Sequence, residues 1–182
     1  GRFKKLAGPQ NCSDCPVGTY TSAETTLFAC ADCPAGRYYQ NADGTTCELC
    51  DAGKYGNAAA LTACVECDVG RYTAATASAN CLDCAAGTFQ DVGGQIACKP
   101  CAYGRFKNAS GTQSCSDCPA GSYTSAETTL FACASCAPGR RQDVAGQVNC
   151  TLCASGRFVA TGGSTESSCT ACTLGRVAPV RG

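Results

Sequence analysis

Residues 33–47 read CPAGRYYQNADGTTC, and this stretch decides the fold of the chain. The proline and the glycine that follow Cys33 predict a sharp turn, because proline fixes φ and glycine tolerates a positive φ. A short extended run then leads into a turn at the Asn-Ala-Asp-Gly segment, and a second extended run ends on Cys47. A bridge between Cys33 and Cys47 would close this hairpin, with Tyr38 lying across it as the only large apolar side chain.

The same pattern recurs along the whole chain. All twenty cysteines fall into ten Cys-x-x-Cys pairs whose starts lie 17 to 19 residues apart. A glycine follows three residues after the second cysteine of every pair, and an aromatic residue stands two positions later in eight of the ten. The pairs begin at Cys12, Cys30, Cys47, Cys64, Cys81, Cys98, Cys115, Cys133, Cys150 and Cys169. The aromatic residues are Tyr20, Tyr38, Tyr55, Tyr72, Phe89, Phe106, Tyr123 and Phe158, with Arg141 and Val177 in that position in the other two repeats.

A longer period overlies the short one. Residues 12–33 read CSDCPVGTYTSAETTLFACADC, and residues 115–136 read CSDCPAGSYTSAETTLFACASC, 103 residues later. Six short repeats therefore form a longer unit that was itself duplicated. Residues 1–3 match residues 104–106 in register, so we expect both ends to be cut inside a repeat. We predict one continuous array of about ten repeats over residues 1–182.

Composition favours an extracellular disulfide scaffold. The 182-residue chain has Cys at 20 positions, whereas Trp and Met are absent and the large aromatic side chains are limited to seven Tyr and six Phe. Such a chain cannot build a large apolar core, and so many bridges would not persist in a reducing cytosol. We therefore predict a small disulfide-rich fold of short β-hairpins and loops, with little or no helix, arranged as an elongated rod.

Charge and residue types argue against several functions. The 14 basic and 14 acidic residues cancel, so the basic surface expected of a nucleic-acid-binding protein is absent. No apolar run is long enough to cross a membrane, so we expect no membrane insertion of this segment. With no histidine in the chain, histidine-dependent catalysis is excluded, and a narrow rod offers no cleft for paired carboxylates. We predict that the chain is not an enzyme and needs no cofactor.

Spacing leaves two bridge connectivities open. In the interlocked pattern, Cys12 pairs with Cys30 and Cys15 with Cys33, and so on through all twenty cysteines. In the sequential pattern, the second cysteine of each pair joins the first cysteine of the next, which treats every repeat alike and is the one we favour. Cys12 and Cys172 then remain for cysteines of a neighbouring repeat or chain. The sequential pairs are Cys15–Cys30, Cys33–Cys47, Cys50–Cys64, Cys67–Cys81, Cys84–Cys98, Cys101–Cys115, Cys118–Cys133, Cys136–Cys150 and Cys153–Cys169.

Zinc is the main chemical alternative to bridging. Two Cys-x-x-Cys pairs separated by 13 to 15 residues approach the spacing of a zinc ribbon, and five four-cysteine sites could be drawn. Zinc ribbons, however, come as separated pairs of pairs, whereas these ten pairs are evenly spaced. We therefore predict no metal site.

Residues 15–30, and their copy at 118–133, resemble the ephrin-receptor-like cysteine-rich repeat. They are also similar to the first module of tumour-necrosis-factor-receptor cysteine-rich domains, and the shared Cys-x-x-Cys-x-x-Gly-x-Tyr core covers essentially the whole chain. The resemblance implies an extracellular, elongated ectodomain with short strands and the sequential bridges. It implies no single function, because such modules occur in receptors, adhesion proteins and microbial surface proteins. Arg141 and Val177 depart from the pattern, which puts the packing of their repeats in doubt.

Glycosylation is a further expectation for an extracellular chain. The three Asn-x-Ser/Thr triplets lie at Asn11, Asn108 and Asn149, and we favour Asn108 because the other two have a cysteine in the middle. Two threonine-rich segments, Thr21–Thr26 and Thr124–Thr129, are candidates for O-glycans.

Charged residues recur at fixed places in the repeat and suggest rows of charge. The position before the aromatic one is basic at Arg2, Arg37, Lys54, Arg71, Arg105, Arg140, Arg157 and Arg176. The position before the second cysteine is acidic at Asp14, Asp32, Glu66, Asp83 and Asp117. These rows either keep the chain soluble or take part in lateral recognition between rods.

The sequence as a whole favours a structural extracellular protein. Our leading hypothesis is the shaft of a surface filament, fibril or long stalk that associates with itself. The alternative is a ligand-binding or adhesion receptor ectodomain that uses the repeats as a spacer or docking surface.

Overall fold

The computed structural model describes residues 2–3, 12–21, 29–40, 45–111 and 114–176. Within these ranges the chain forms no helix, and its regular structure consists of two-residue strands paired into antiparallel hairpins. The strands are β1 (Arg2–Phe3), β2 (Ser13–Asp14), β3 (Thr19–Tyr20), β4 (Ala31–Asp32), β5 (Arg37–Tyr38), β6 (Glu48–Leu49), β7 (Lys54–Tyr55), β8 (Val65–Glu66), β9 (Arg71–Tyr72), β10 (Leu82–Asp83), β11 (Thr88–Phe89), β12 (Lys99–Pro100), β13 (Arg105–Phe106), β14 (Ser116–Asp117), β15 (Ser122–Tyr123), β16 (Ala134–Ser135), β17 (Arg140–Arg141), β18 (Thr151–Leu152), β19 (Arg157–Phe158) and β20 (Thr170–Ala171). The predicted disulfide-rich hairpin fold is confirmed.

A tight turn opens each hairpin, as the recurrent glycine predicts. In the repeat that begins at Cys33, the amide of Arg37 donates to the carbonyl oxygen of Pro34 at 3.1 Å, and Gly36 has a φ of +80°. A turn with positive φ at its third residue is of type II, which favours glycine there. The ten recurrent glycines all have φ between +75° and +84°.

The second strand of the hairpin lies further along the chain than the sequence predicts. Strand β5 pairs with β6, so Arg37 faces Leu49 and Tyr38 faces Glu48. The expectation that the second extended run ends on Cys47 is therefore wrong, because this strand occupies the two residues between the cysteines of the next pair. The amide of Cys50 donates to the carbonyl oxygen of Gly36 at 2.9 Å, and this bond at the turn sets the register.

The chain divides into two compact units. Unit 1 comprises Gly1–Asp83 and Gln90–Cys98, and unit 2 comprises Cys84–Phe89 and Lys99–Gly182. Hairpins of the same design occur in each unit. No helix in the described ranges is long and apolar enough to cross a membrane. The uninterrupted array of about ten repeats stays a prediction.

Burial is concentrated at two positions of the repeat. The second cysteine of the pair is at most 3 % exposed in eight repeats, from Cys15 to Cys136. The residue after the aromatic position is buried in all nine described repeats that contain it, whereas the eight aromatic rings are only half-buried. The ring, which we expected to lie across the bridge, is therefore not the most buried side chain of its repeat. The buried positions of each unit are occupied mainly by disulfide cysteines and by the residues that follow the aromatic position.

Candidate functional site

The contacts that join successive repeats form the most regular feature of the structure. We call the buried residue after the aromatic position the stacking residue. The stacking residues are Thr21, Tyr39, Gly56, Thr73, Gln90, Lys107, Thr124, Gln142 and Val159. In eight pairs of neighbouring repeats, the amide of the recurrent glycine donates to the carbonyl oxygen of the next stacking residue, at 2.6 to 3.0 Å. Gly53 and Thr73 in unit 1, and Gly121 and Gln142 in unit 2, are examples.

In six of the hairpins, a second backbone bond joins the loop to the repeat before it. The amide of Ala77 donates to the carbonyl oxygen of Cys50 at 2.8 Å, and Gly163 donates in the same way to Cys136. These loop residues have positive φ, including the two alanines, Ala60 at +59° and Ala77 at +56°. Alanine rarely adopts this conformation, at a cost of about 1–2 kcal/mol. The stacking contact therefore holds an unfavourable backbone conformation in place at both positions.

The recurrent glycine also lets the backbone of a later repeat approach closely. A Cβ atom added at Gly18 or Gly53 would clash with the carbonyl oxygen of Ala60 or Gly94, two repeats further on. In unit 2, a Cβ atom at Gly121 would clash with the carbonyl oxygen of Gly163. At these three positions glycine is thus required both for the turn and for the packing of repeats that lie two apart. A side chain there would push the two hairpins apart.

Several stacking residues carry polar side chains that are fully bonded. The Gln90 amide donates to the carbonyl oxygen of Ala97 at 2.8 Å, and its oxygen accepts from the amide of Val92 at 3.3 Å. Gln142 makes the equivalent bonds to Asn149 and Val144. Each glutamine therefore closes the loop of its own hairpin. No buried side-chain nitrogen or oxygen in the described ranges lacks a hydrogen-bond partner.

Disulfides run through the structure in the sequential arrangement. The pairs are Cys15–Cys30, Cys33–Cys47, Cys50–Cys64, Cys67–Cys81, Cys101–Cys115, Cys118–Cys133, Cys136–Cys150 and Cys153–Cys169. Cys84 and Cys98 are disulfide-bonded as well. The eight bridges named above join cysteines that lie 14 to 16 positions apart in the sequence, and their Cα atoms are 5.6 to 5.9 Å apart. The interlocked pairing of Cys12 with Cys30 is not the arrangement found.

Cys12 is free and exposed, and Cys172 is free and half-buried. A thiol that is held in a disulfide cannot act as a zinc thiolate, so the bridges and the zinc alternative exclude each other. In the described part of the chain, no group of three or more Cys, Asp or Glu residues is placed to hold a metal ion.

Four of the eight basic residues in the charged row are paired with an acidic residue of their own hairpin. The Arg71 Nε atom lies 2.7 Å from Asp83 Oδ1, and the Arg105 Nε atom lies at the same distance from Asp117 Oδ1. Lys54 Nζ lies 4.0 Å from Glu66 Oε1, and Arg2 pairs with Asp14 at 2.8 Å. Exposed pairs of this type are worth about 0–1 kcal/mol each. At these four pairs the basic and the acidic row are therefore joined within the hairpin, and lateral recognition between rods stays a prediction.

Where no acid lies opposite, the basic residue uses a backbone carbonyl instead. The Nη1 atoms of Arg140 and Arg157 donate to the carbonyl oxygens of Cys150 and Cys169, at 3.2 and 2.9 Å. Arg37 makes the same bond to Cys47 at 3.3 Å. A carbonyl is neutral, so the positive charge of these arginines is left uncompensated.

Two groups have shifted pKa values. The hydrogen bond to Asp83, together with its negative charge, raises the pKa of Arg71. The hydrogen bond from Tyr38 to Glu48, with burial and the nearby carboxylates adding to it, raises the pKa of Tyr38. Both shifts favour the form already present at neutral pH, so neither residue is prepared for acid–base catalysis.

Unit 2 has a shallow, mainly apolar depression of about 550 Å³. Phe89, Tyr103 and Leu130 contribute its apolar surface, and the Lys99 ammonium lies 5.9 Å from the centre of the Phe89 ring. Tyr103 is 54 % exposed.

The expected glycosylation sites differ in accessibility. Asn108 and Asn149 are both exposed, while Asn11 lies outside the described residues. Thr21 and Thr124 are buried, at 5 % and 0 % exposure, so these two residues of the candidate O-glycan segments are not accessible for modification. Thr124 instead donates to the carbonyl oxygen of Arg105 at 3.0 Å. Most of the first threonine-rich segment lies outside the described residues.

Sequence reasoning missed the stacking residues. Their identities range from glycine to lysine, so no residue type marks them. The only signal is their constant distance from the recurrent glycine, which places them one position after each ring. Arg141 takes the place of a ring, yet Gln142 after it is buried like the other stacking residues. Val177 lies outside the described residues.

Comparison with known protein families identifies the repeat. The family model described as tyrosine-protein kinase ephrin type A/B receptor-like matches residues 36–80, 74–118 and 95–129, which together cover slightly more than half of the chain. No curated protein matches the chain significantly. Repeats of this family are typically non-catalytic, and with the bridges they point to an extracellular or secreted domain. This chain therefore belongs to the ephrin type A/B receptor-like family of cysteine-rich repeats.

Proposed function

We propose that this chain is a structural extracellular protein, the shaft of a surface filament or long stalk. The observation that carries the proposal is the recurrence of the same two backbone bonds between neighbouring repeats in each unit, the first in eight pairs of repeats and the second in six. Because these bonds do not depend on the side chain of the stacking residue, repeats can be added to lengthen the array without new specific contacts. Self-association into a filament is part of the proposal.

The bridges suit a chain that must resist tension. Under tension, the shortest chain of covalent bonds along the array runs through each disulfide and then through the Cys-x-x-Cys segment that leads to the next disulfide. A Cys-x-x-Cys segment spans roughly 10 Å when fully extended, and the bridge adds a Cα separation of 5.6 to 5.9 Å. An unbridged repeat would stretch to roughly 60 Å. Each bridge therefore limits how far its repeat can lengthen.

The two free cysteines are assigned to connections with cysteines of a neighbouring repeat or chain. Eighteen cysteines are disulfide-bonded, and Cys12 and Cys172 have the same place in the repeat pattern as bonded cysteines. In an oxidising compartment such thiols form bridges when a partner is within reach. N-glycans at the exposed Asn108 and Asn149 are compatible with this role.

A receptor or adhesion ectodomain is the second candidate. The apolar depression around Phe89 and the exposed Tyr103 favours it, because exposed aromatic side chains are common in binding surfaces. In this case the repeats would act as a spacer that presents a docking surface.

Electron microscopy of the native, unreduced protein separates the two functions. A structural polymer would form long fibres with a regular axial repeat. Isolated thin rods of one length would contradict the filament and favour the receptor ectodomain. The control is the same material after reduction and alkylation, which should show neither.

A further inference from the structure

The zero net charge of the chain conceals opposite charges on its two units. Unit 1 has six basic and ten acidic residues, whereas unit 2 has eight basic and four acidic residues. Their formal net charges are therefore −4 and +4. A neutral chain with this distribution has no reason to repel its own copies, and each unit is attracted to the opposite unit of another molecule.

The acidic surplus of unit 1 lies on exposed positions at the start of its hairpins. Asp51 and Asp68 directly follow the second cysteines of two successive pairs, and both are exposed. The equivalent positions of unit 2 are occupied by uncharged residues, among them Ala137 and Ala154. Asp32 adds to the surplus, because it faces Thr19 across its hairpin instead of a base.

The basic surplus of unit 2 lies on the strands of its last hairpins. Arg140 faces Leu152 across its hairpin, and Arg157 faces Ala171, so neither arginine has an acid as its cross-strand partner. Both are exposed, and each guanidinium donates to a neutral carbonyl oxygen that leaves its charge uncompensated.

The two surpluses have the same spacing along the repeats. Asp51 and Asp68 occupy equivalent positions in successive repeats, and so do Arg140 and Arg157, with the same number of residues between the members of each pair. Hairpins of the same design with the same stacking bonds carry both pairs. Because the spacing is the same, the two aspartates of unit 1 can pair with the two arginines of unit 2.

We propose that unit 1 of one molecule binds unit 2 of a second copy of this chain, with Asp51 and Asp68 facing Arg140 and Arg157. The contact is head-to-tail, so it leaves one acidic and one basic unit unoccupied and extends into an open chain of molecules. The proposal rests on the proposed filament function and names the surface that assembles it. Each charge pair is exposed and screened by salt, so the association weakens as ionic strength rises.

Charge reversal in the full-length, unreduced chain tests the contact. Sedimentation is measured in about 0.02 M and about 0.5 M NaCl, because screening is weak in the first buffer and strong in the second. The paired substitution Arg140→Glu and Arg157→Glu should weaken association at least about tenfold in low salt, as expected for the loss of several weak charge pairs. Adding Asp51→Arg and Asp68→Arg to the same chain should restore it.

Controls separate a local contact from total charge and from misfolding. Ala126→Glu with Ala132→Glu, at other exposed positions of unit 2, makes the same change in total charge as the milder pair Arg140→Gln and Arg157→Gln, and it should weaken association much less than that pair does. The milder pair Arg140→Gln and Arg157→Gln keeps the test usable where the reversals reduce secretion. All variants must show the wild-type number of free thiols.

The outcomes distinguish this inference from the filament proposal. Association that persists equally in the Arg140→Glu, Arg157→Glu variant overturns the inference and leaves the filament to another contact. A chain that is monomeric in every buffer and forms isolated rods overturns both. Loss of binding to heparin without any loss of self-association would assign the arginines to a polyanionic partner and also overturns the inference.

Discussion

At the scale of single residues, the recurrent glycine serves a turn and a close backbone contact. The sequence predicts the turn but not the contact. Its position after Cys-x-x predicts a turn with positive φ, and the structure has that turn in every repeat. The close approach of a carbonyl oxygen from two repeats away was not predictable, because the partner of Gly121 is the distant Gly163. Local sequence determines a turn, whereas this contact depends on how the hairpins stack.

Unit 2 offers a matched pair of glycines that separates the two requirements. Gly121 and Gly139 have φ values of +81° and +82°, but within the described ranges only Gly121 has a carbonyl oxygen in the space of an added Cβ atom. Replacing Gly139 by alanine should cost about 1–2 kcal/mol of unfolding free energy, the usual penalty for a left-handed alanine. Replacing Gly121 should cost about 1–3 kcal/mol more, because the repeats must also move apart.

Denaturant unfolding of the oxidised variants measures this difference. Equal losses for Gly121→Ala and Gly139→Ala would show that the turn alone matters and that the stacking contact contributes nothing.

At the scale of the hairpin, the sequence predicts the element but not its register. Cysteine spacing and turn residues indicate one hairpin in each repeat, and that is what forms. The sequence places the second strand before Cys47, because the run up to that cysteine looks continuous. The strand forms after it, at Glu48–Leu49, since the Gly36 carbonyl bonds to the amide of Cys50. Backbone bonding at the turn decides the register, and no side-chain pattern records it.

The stacking residue Gln142 gives a test at this scale. Its side chain bonds to the backbone of Asn149 and Val144, and it is 7 % exposed. Gln142→Leu should lower the free energy of unfolding by about 1–3 kcal/mol, because the substitution removes two partly buried hydrogen bonds that are each worth about 0.5–1.5 kcal/mol. The control is Gln147→Leu in the same loop, where the side chain makes one long bond of 3.4 Å to Ala145.

The control substitution should change stability by no more than about 0.5 kcal/mol. The two variants are compared by thermal unfolding and by amide hydrogen exchange of residues 142–150. Equal protection of this loop in Gln142→Leu and the wild type would refute the loop-closing role of the glutamine.

At the scale of the whole molecule, composition predicts most of what holds the chain together. Twenty cysteines and few large apolar residues predict a chain braced by bridges, and the buried set consists mainly of cysteines with the stacking residues. The ion pairs within hairpins and the opposite charges of the two units were hidden, because a total charge of zero says nothing about where the charges lie. The location of the charges follows only from the strand pairing and from the division of the chain into two units.

We expect disulfides, rather than an apolar core or a bound metal, to keep this chain folded. Bridges that close loops of 14 to 16 residues are each worth about 3 kcal/mol, which exceeds what one half-buried ring per repeat contributes by burial.

Far-UV circular dichroism of the protein after a chelator, and separately after reduction and alkylation, tests this claim most directly. If disulfides hold the fold, the spectrum should stay unchanged with the chelator and become that of a random coil after reduction. A native spectrum that survives full reduction, or one that is lost with the chelator alone, would contradict it.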